Sequence, residues 1–115
     1  MNNSQLTKGH CVPCEGGTTP LTRKETEVYL SLLKTPWEVK NNNKQIEKQY
    51  KFKNFVEAIK FVNKVADLAE EQGHHPDISI SYSKVGIALT THAIHGLSTN
   101  DFILASKIEL LQISN

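Results

Sequence analysis

Two periods organise the apolar residues of this chain. Val28, Leu32 and Leu33, then Phe55, Ile59, Val62, Ala66 and Ala69, then Leu104, Ile108 and Leu111 recur at the spacing of one face of an α-helix. Each stretch opens on a cap signature: Thr22 precedes Glu25, Asn54 precedes Glu57 and Ser98 precedes Asp101, a cap residue with an acid at the third helical position. Gly73 follows the middle stretch, where a helix commonly stops in a left-handed residue. Three helices are predicted.

Between them the apolar residues alternate. Trp37 to Lys40 and Ile46 to Phe52 flank a run of three asparagines and predict one hairpin; Ile78, Ile80 and Tyr82, then Val85, Ile87 and Leu89, predict another. Tyr82 falls on the apolar face and reads as core. The order of helix, two strands, helix, two strands, helix predicts an α+β fold with two layers, a four-stranded antiparallel sheet with helices packed on one face. Residues 1–20 lack either period and read as a loosely ordered leader, leaving 21–115 as a single domain.

Charge narrows the function classes more than it selects one. Thirteen Lys and Arg stand against 12 Asp and Glu in 115 residues. No basic block marks a nucleic-acid or anionic-membrane surface, and the apolar runs are too short to span a bilayer. The expectation is a cytoplasmic protein with no nucleic-acid partner and no membrane. Cys11 and Cys14, beside His10, have redox or zinc spacing, yet a second pair of ligands is missing and no strand-to-helix context surrounds them.

The chemistry concentrates at His74, His75 and His92. A two-residue turn at Ser83-Lys84 pairs Tyr82 with Val85 and, extended backwards, sets His75 opposite His92; a slip of one residue sets His74 there instead. Opposed residues have Cβ atoms about 4.5–5.5 Å apart, so two or three imidazoles would share one end of the hairpin. Gly86, Ala88 and Thr90 leave room there for a flat ligand. Adjacent histidines on extended backbone point to opposite sides, which suits metal binding poorly. Acid/base work asks less, since an imidazole with a pKa near about 6.5 can donate or accept at neutral pH. Metal ligation and a purely structural role at the junction remain open on the residues alone. Glu70, one turn before His74, is placed to orient an imidazole, and Asp101 is accounted for by capping or by a role at the site.

Taken together, Glu70, His74, His75, Pro76, Tyr82, His92 and Asp101 match in spacing the signature of the pterin-4a-carbinolamine dehydratases, and Trp37, Thr90 to His92 and Gly96 to Ser98 are similar to further features of that family. The resemblance covers nearly the whole chain, and the segment from Cys11 to Gly17 resembles the leaders of bacterial and plant members. It implies dehydration of a 4a-hydroxytetrahydropterin to the quinonoid dihydropterin in tetrahydropterin recycling. His74 and His92, with Glu70, would be catalytic, and His75, Pro76 and Asp101 would bind substrate. No metal, flavin or nicotinamide cofactor is implied, because loss of water changes no oxidation state. The resemblance also implies a homodimer or homotetramer and a pathway shared with a pterin-dependent aromatic amino acid hydroxylase. It permits two other functions: a protein-binding module, as in a dimerisation cofactor or transcriptional coactivator, and pterin binding in molybdopterin-related metabolism. His95 departs from the pattern, standing where a glycine is common.

Overall fold

A computed structural model describes residues 1–12 and 18–113. The elements run α1 (Asn3–Lys8), α2 (Arg23–Leu32), β1 (Glu38–Lys40), β2 (Gln45–Lys51), α3 (Phe55–Gln72), β3 (Asp77–Ser81), β4 (Lys84–Leu89), a 3₁₀ turn (His92–Ile94) and α4 (Thr99–Ile113). The four strands form one antiparallel sheet in the order β1-β2-β4-β3. This is the predicted α+β architecture, with one helix more than the apolar periods indicated. Among the described residues, no helix is long and apolar enough to cross a membrane.

The cap signatures work as read at two helices. Thr22 accepts from the Glu25 N–H while the Glu25 carboxylate accepts from the Thr22 N–H, and Asn54 caps Glu57. Asn41, Asn42 and Asn43 all take left-handed backbone, with φ of 53, 54 and 65°, the conformation that asparagine tolerates best among residues bearing a Cβ. That loop lets β1 and β2 pair Lys40 with Gln45.

Two helix faces are rotated from their predicted positions. In α2 Thr26, Tyr29, Leu30 and Leu32 turn inward, with Leu33 at the cap, so Leu32 and Leu33 pack as expected, whereas Val28 is exposed. Tyr29 stacks on Phe102 with ring centroids 5.2 Å apart, so the aromatic contact sets the face. In α3 the buried set is Ala58, Phe61, Val65, Ala69 and Gln72, and Phe55 and Ala66 point outward. Phe61 lies 4.7 Å from the Tyr50 ring and 5.0 Å from that of Phe52, tying α3 to β2 and the residue after it. The last helix is not a stripe at all: Asp101 through Ser106, Ile108 and Glu109 are buried. It packs against α1, α2 and α3, so most of its circumference meets protein.

The leader is the largest correction within the described residues. Asn2 caps α1 in a full capping box, Leu6 is completely buried, and Lys107 Nζ donates to the Thr7 carbonyl. A six-residue helix is marginal by itself; burying Leu6 against α4 supplies what its own hydrogen bonds do not. Cys14 lies outside the described residues.

Candidate active site

The site begins where α3 stops. Gly73 takes φ 66°, and the N–H groups of Gly73 and His74 both donate to the Ala69 carbonyl. A Cβ at Gly73 would touch nothing, so the left-handed backbone alone accounts for glycine there. The chain then turns, putting His74 inward and His75 outward, with side chains 12% and 62% exposed.

Behind His74 lies a buried polar chain. His74 Nε2 is 2.7 Å from Asp101 Oδ1, and Asp101 has no exposed surface. The other carboxylate oxygen accepts from Thr91 Oγ1 at 2.9 Å and from the Ser98 N–H at 3.0 Å. Thr91 spends its only hydroxyl proton on Asp101, so the 2.7 Å contact between Thr91 and Ser98 hydroxyls must be donated by Ser98. A carboxylate only accepts, so in this contact the proton between the two groups belongs on His74 Nε2, which leaves Nδ1 as the nitrogen not engaged by Asp101. The Ser98-Asp101 cap is therefore half of a capping box whose acid also anchors an imidazole.

His92 arrives by a route different from the one predicted. The β3-β4 register pairs Ile80 with Val85 and Ile78 with Ile87, two residues from the expected alignment, and the turn is Tyr82-Ser83. Tyr82 has φ 52° and is 68% exposed, a turn residue rather than core. An even shift leaves Val85, Ile87 and Leu89 facing inward, so the fold is unaffected. The ladder ends at Asp77 and Ala88, and neither His74 nor His75 pairs with His92. Instead Thr91 bridges to Gly96, and His92 sits on the 3₁₀ turn between them. The three histidines still meet: His74, His75 and His92 line a cleft of about 230 Å³ with Val12, Gly73, Thr90, Thr91, Ala93 and Asn100.

Other predicted residues fall around the cleft rather than in its wall. Glu70 reaches His75, with Oε2 2.5 Å from Nε2, and does not orient His74. Both partners are exposed, so solvent weakens the pairing. Pro76 is half-buried beyond the lining, and Asp101 stands behind His74, acting on the cleft only through it. Thr91, Ser98, Gln72 and Asn100 carry contacts that periodicity does not mark, because polar residues beside a loop look the same in sequence whether they are buried or solvated. Among the described residues no three His, Cys, Asp or Glu side chains gather as a metal site.

The sequence model of pterin 4 alpha carbinolamine dehydratase matches residues 19–111. The chain belongs to this family. A Rickettsia canadensis relative provisionally named pterin-4-alpha-carbinolamine dehydratase is 47% identical over 104 residues, covering 90% of this chain and 94% of its own. One from Alkaliphilus metalliredigens with the same provisional name is 46% identical over 112 residues, covering 97% and 98%. A solved Brucella melitensis structure, described as a transcriptional coactivator/pterin dehydratase, superposes with TM-score 0.75 at 30% identity over 81% of this chain and 98% of that one.

Histidine at position 95 of this dehydratase family member stands on left-handed backbone. It takes φ 54° at the end of the 3₁₀ turn and lies outside the cleft lining. A side chain there bears the cost of left-handed backbone, about 1 kcal/mol or more, part of which glycine returns as unfolded-state entropy. His95→Gly is accordingly expected to raise the thermal midpoint by a few degrees, about 0.5 kcal/mol, without altering kinetics. Thermal denaturation beside a kinetic assay checks both halves.

Proposed function

We propose that the protein eliminates water from a 4a-hydroxytetrahydropterin to give the quinonoid dihydropterin. The observation that carries this reading is His74, fixed through its Nε2 by the buried Asp101 and opening onto a cleft shared with His75 and His92. The reaction breaks the C4a–O bond, removes the N5 proton and forms a C4a–N5 double bond. His74 is suited to the N5 proton, because Asp101 stabilises the imidazolium that results. His92 delivers the proton that lets the C4a hydroxyl leave as water. His75, backed by Glu70, holds the pterin. No electrons are exchanged, so the acid and base suffice for the chemistry.

In this reading the substrate comes from a pterin-dependent aromatic amino acid hydroxylase, in the cytoplasm, and the product re-enters tetrahydropterin recycling. A homodimer or homotetramer accompanies it, for which β3 offers an unpaired sheet edge. The test is stopped-flow absorbance decay of chemically generated 4a-hydroxytetrahydropterin in buffer containing a chelator. Decay much faster than in buffer alone is expected. Decay at the buffer rate would transfer the assignment to a protein-binding module, a reading favoured by the coactivator half of the Brucella protein's description. Loss of activity to the chelator would instead bring metal chemistry to the site.

A further inference from the structure

The cleft has one wall that belongs to neither histidine-bearing segment. Val12 lines it, 62% exposed and apolar, on a stretch preceding the first element of the matched domain. That stretch is stitched down at both sides of the His74-Asp101 pair. On one side the Cys11 N–H donates to Gln72 Oε1 at 2.9 Å, two residues before His74. On the other the Val12 N–H donates to Asn100 Oδ1 at 3.0 Å, and Asn100 Nδ2 donates back to the Val12 carbonyl at 2.5 Å, one residue before Asp101. Gln72 and Asn100 are each 5% exposed, and Cys11, also 5% exposed, points its thiol at the Asn100 carbonyl. Buried amides seldom sit at a helix end without such partners, since each unpaired polar group costs about 1–3 kcal/mol.

We propose that residues 10–12 are a strap that seats Val12 as the apolar wall of the pterin cleft, with Gln72 and Asn100 as its positioning residues, and that Val12 sets how tightly a reduced pterin is held. A flat, fused ring needs an apolar surface to lie against, and the rest of this lining is imidazole, hydroxyl, amide or small. The contact is made equally in the bound substrate and in the transition state. Its loss therefore falls on KM and not on kcat. This inference rests on the pterin reading of the cleft.

The test is binding of 7,8-dihydrobiopterin, read by fluorescence, alongside dehydration kinetics. Val12→Ala removes two methyl groups from an exposed position and is expected to raise Kd and KM about fivefold, the scale of small apolar contacts in a partly open site. Val12→Ile should restore wild-type affinity. Gln72→Ala, which releases one side of the strap, should reproduce part of the loss, and Gln72→Glu, which keeps the acceptor for the Cys11 N–H, should recover most of it. Unchanged Kd in Val12→Ala, or in Gln72→Ala, overturns the proposal. Wild-type protein that binds dihydrobiopterin without accelerating dehydration sinks the enzymatic reading and leaves the strap standing; wild-type protein that binds no pterin sinks both.

Discussion

Replacing His74 or His92 by Ala is expected, on the proposed function, to lower kcat for carbinolamine dehydration by about a hundredfold to ten-thousandfold, the range over which a positioned general acid or base acts. The Kd for 7,8-dihydrobiopterin should change far less, because His75 and the cleft wall remain. Asp101→Asn is the sharper variant. Its oxygen can still accept from Thr91 and Ser98, but its amide then turns an N–H toward His74 Nε2. His74 must answer by moving its proton to Nδ1, which removes the base. A loss in kcat approaching that of His74→Ala is expected, with a tautomer change visible in the nitrogen NMR of the imidazole. Full turnover in Asp101→Asn would show that His74 does not act through Nδ1.

The second large effect lies away from the cleft. Glu109, 3% exposed on α4, gathers the segment between α2 and β1: Oε1 accepts from the Lys34 N–H at 3.1 Å, and Oε2 from the Thr35 N–H at 2.8 Å, the Thr35 hydroxyl and Trp37 Nε1 at 3.3 Å. Glu109→Ala takes the acceptor from the buried Trp37 Nε1 and from three part-buried donors. A destabilisation of about 3–5 kcal/mol is expected, from the orphaned donors and the cavity together. For a domain of this size that lowers the thermal midpoint by roughly 10 °C or more. Burial first, and the Glu109 charge second, push the Tyr50 phenol above its ordinary range, so Tyr50 stays protonated beside this carboxylate. Circular dichroism melts measure the loss, and kcat at a temperature below both midpoints should be nearly intact. A midpoint within two or three degrees of wild type would mean that the loop finds other acceptors.

Glu109 also marks where sequence reading ran out. An acid at that position of a helix reads as solvent-facing, and only three surrounding helices turn it inward. Leu104 and Ile108 were legible because their burial follows from the helical period; alternation placed the sheet, and residue type placed the caps at Thr22 and Asn54 and the stop at Gly73. The helix faces of α2 and α3 were not, since Thr26 and Phe61 win their inward places through partners that only the fold supplies. At the site, the His74, His75 and His92 cluster was legible by count along the hairpin, although the real turn lies one residue earlier and shifts the pairing by two. The clustering survived because Thr91 and Gly96 bend the chain back after β4. Asp101 was visible as a cap, but its hold on His74 was not, because a contact across 27 positions leaves no local pattern.

The strap carries a consequence for the order of assembly. Val12 and Asn100 are 88 positions apart, and the partners of Cys11 are 61 and 89 positions away. Closing loops of that length is entropically costly and slow, so such contacts follow the local ones. On a ribosome the strap emerges early and has only Gln72 to grip until α4 has left the exit tunnel. The histidines can come together beforehand, but the surface against which a pterin would lie is among the last to form. A chain interrupted before α4 would own the three histidines, but neither the Asp101 that fixes His74 nor the finished wall.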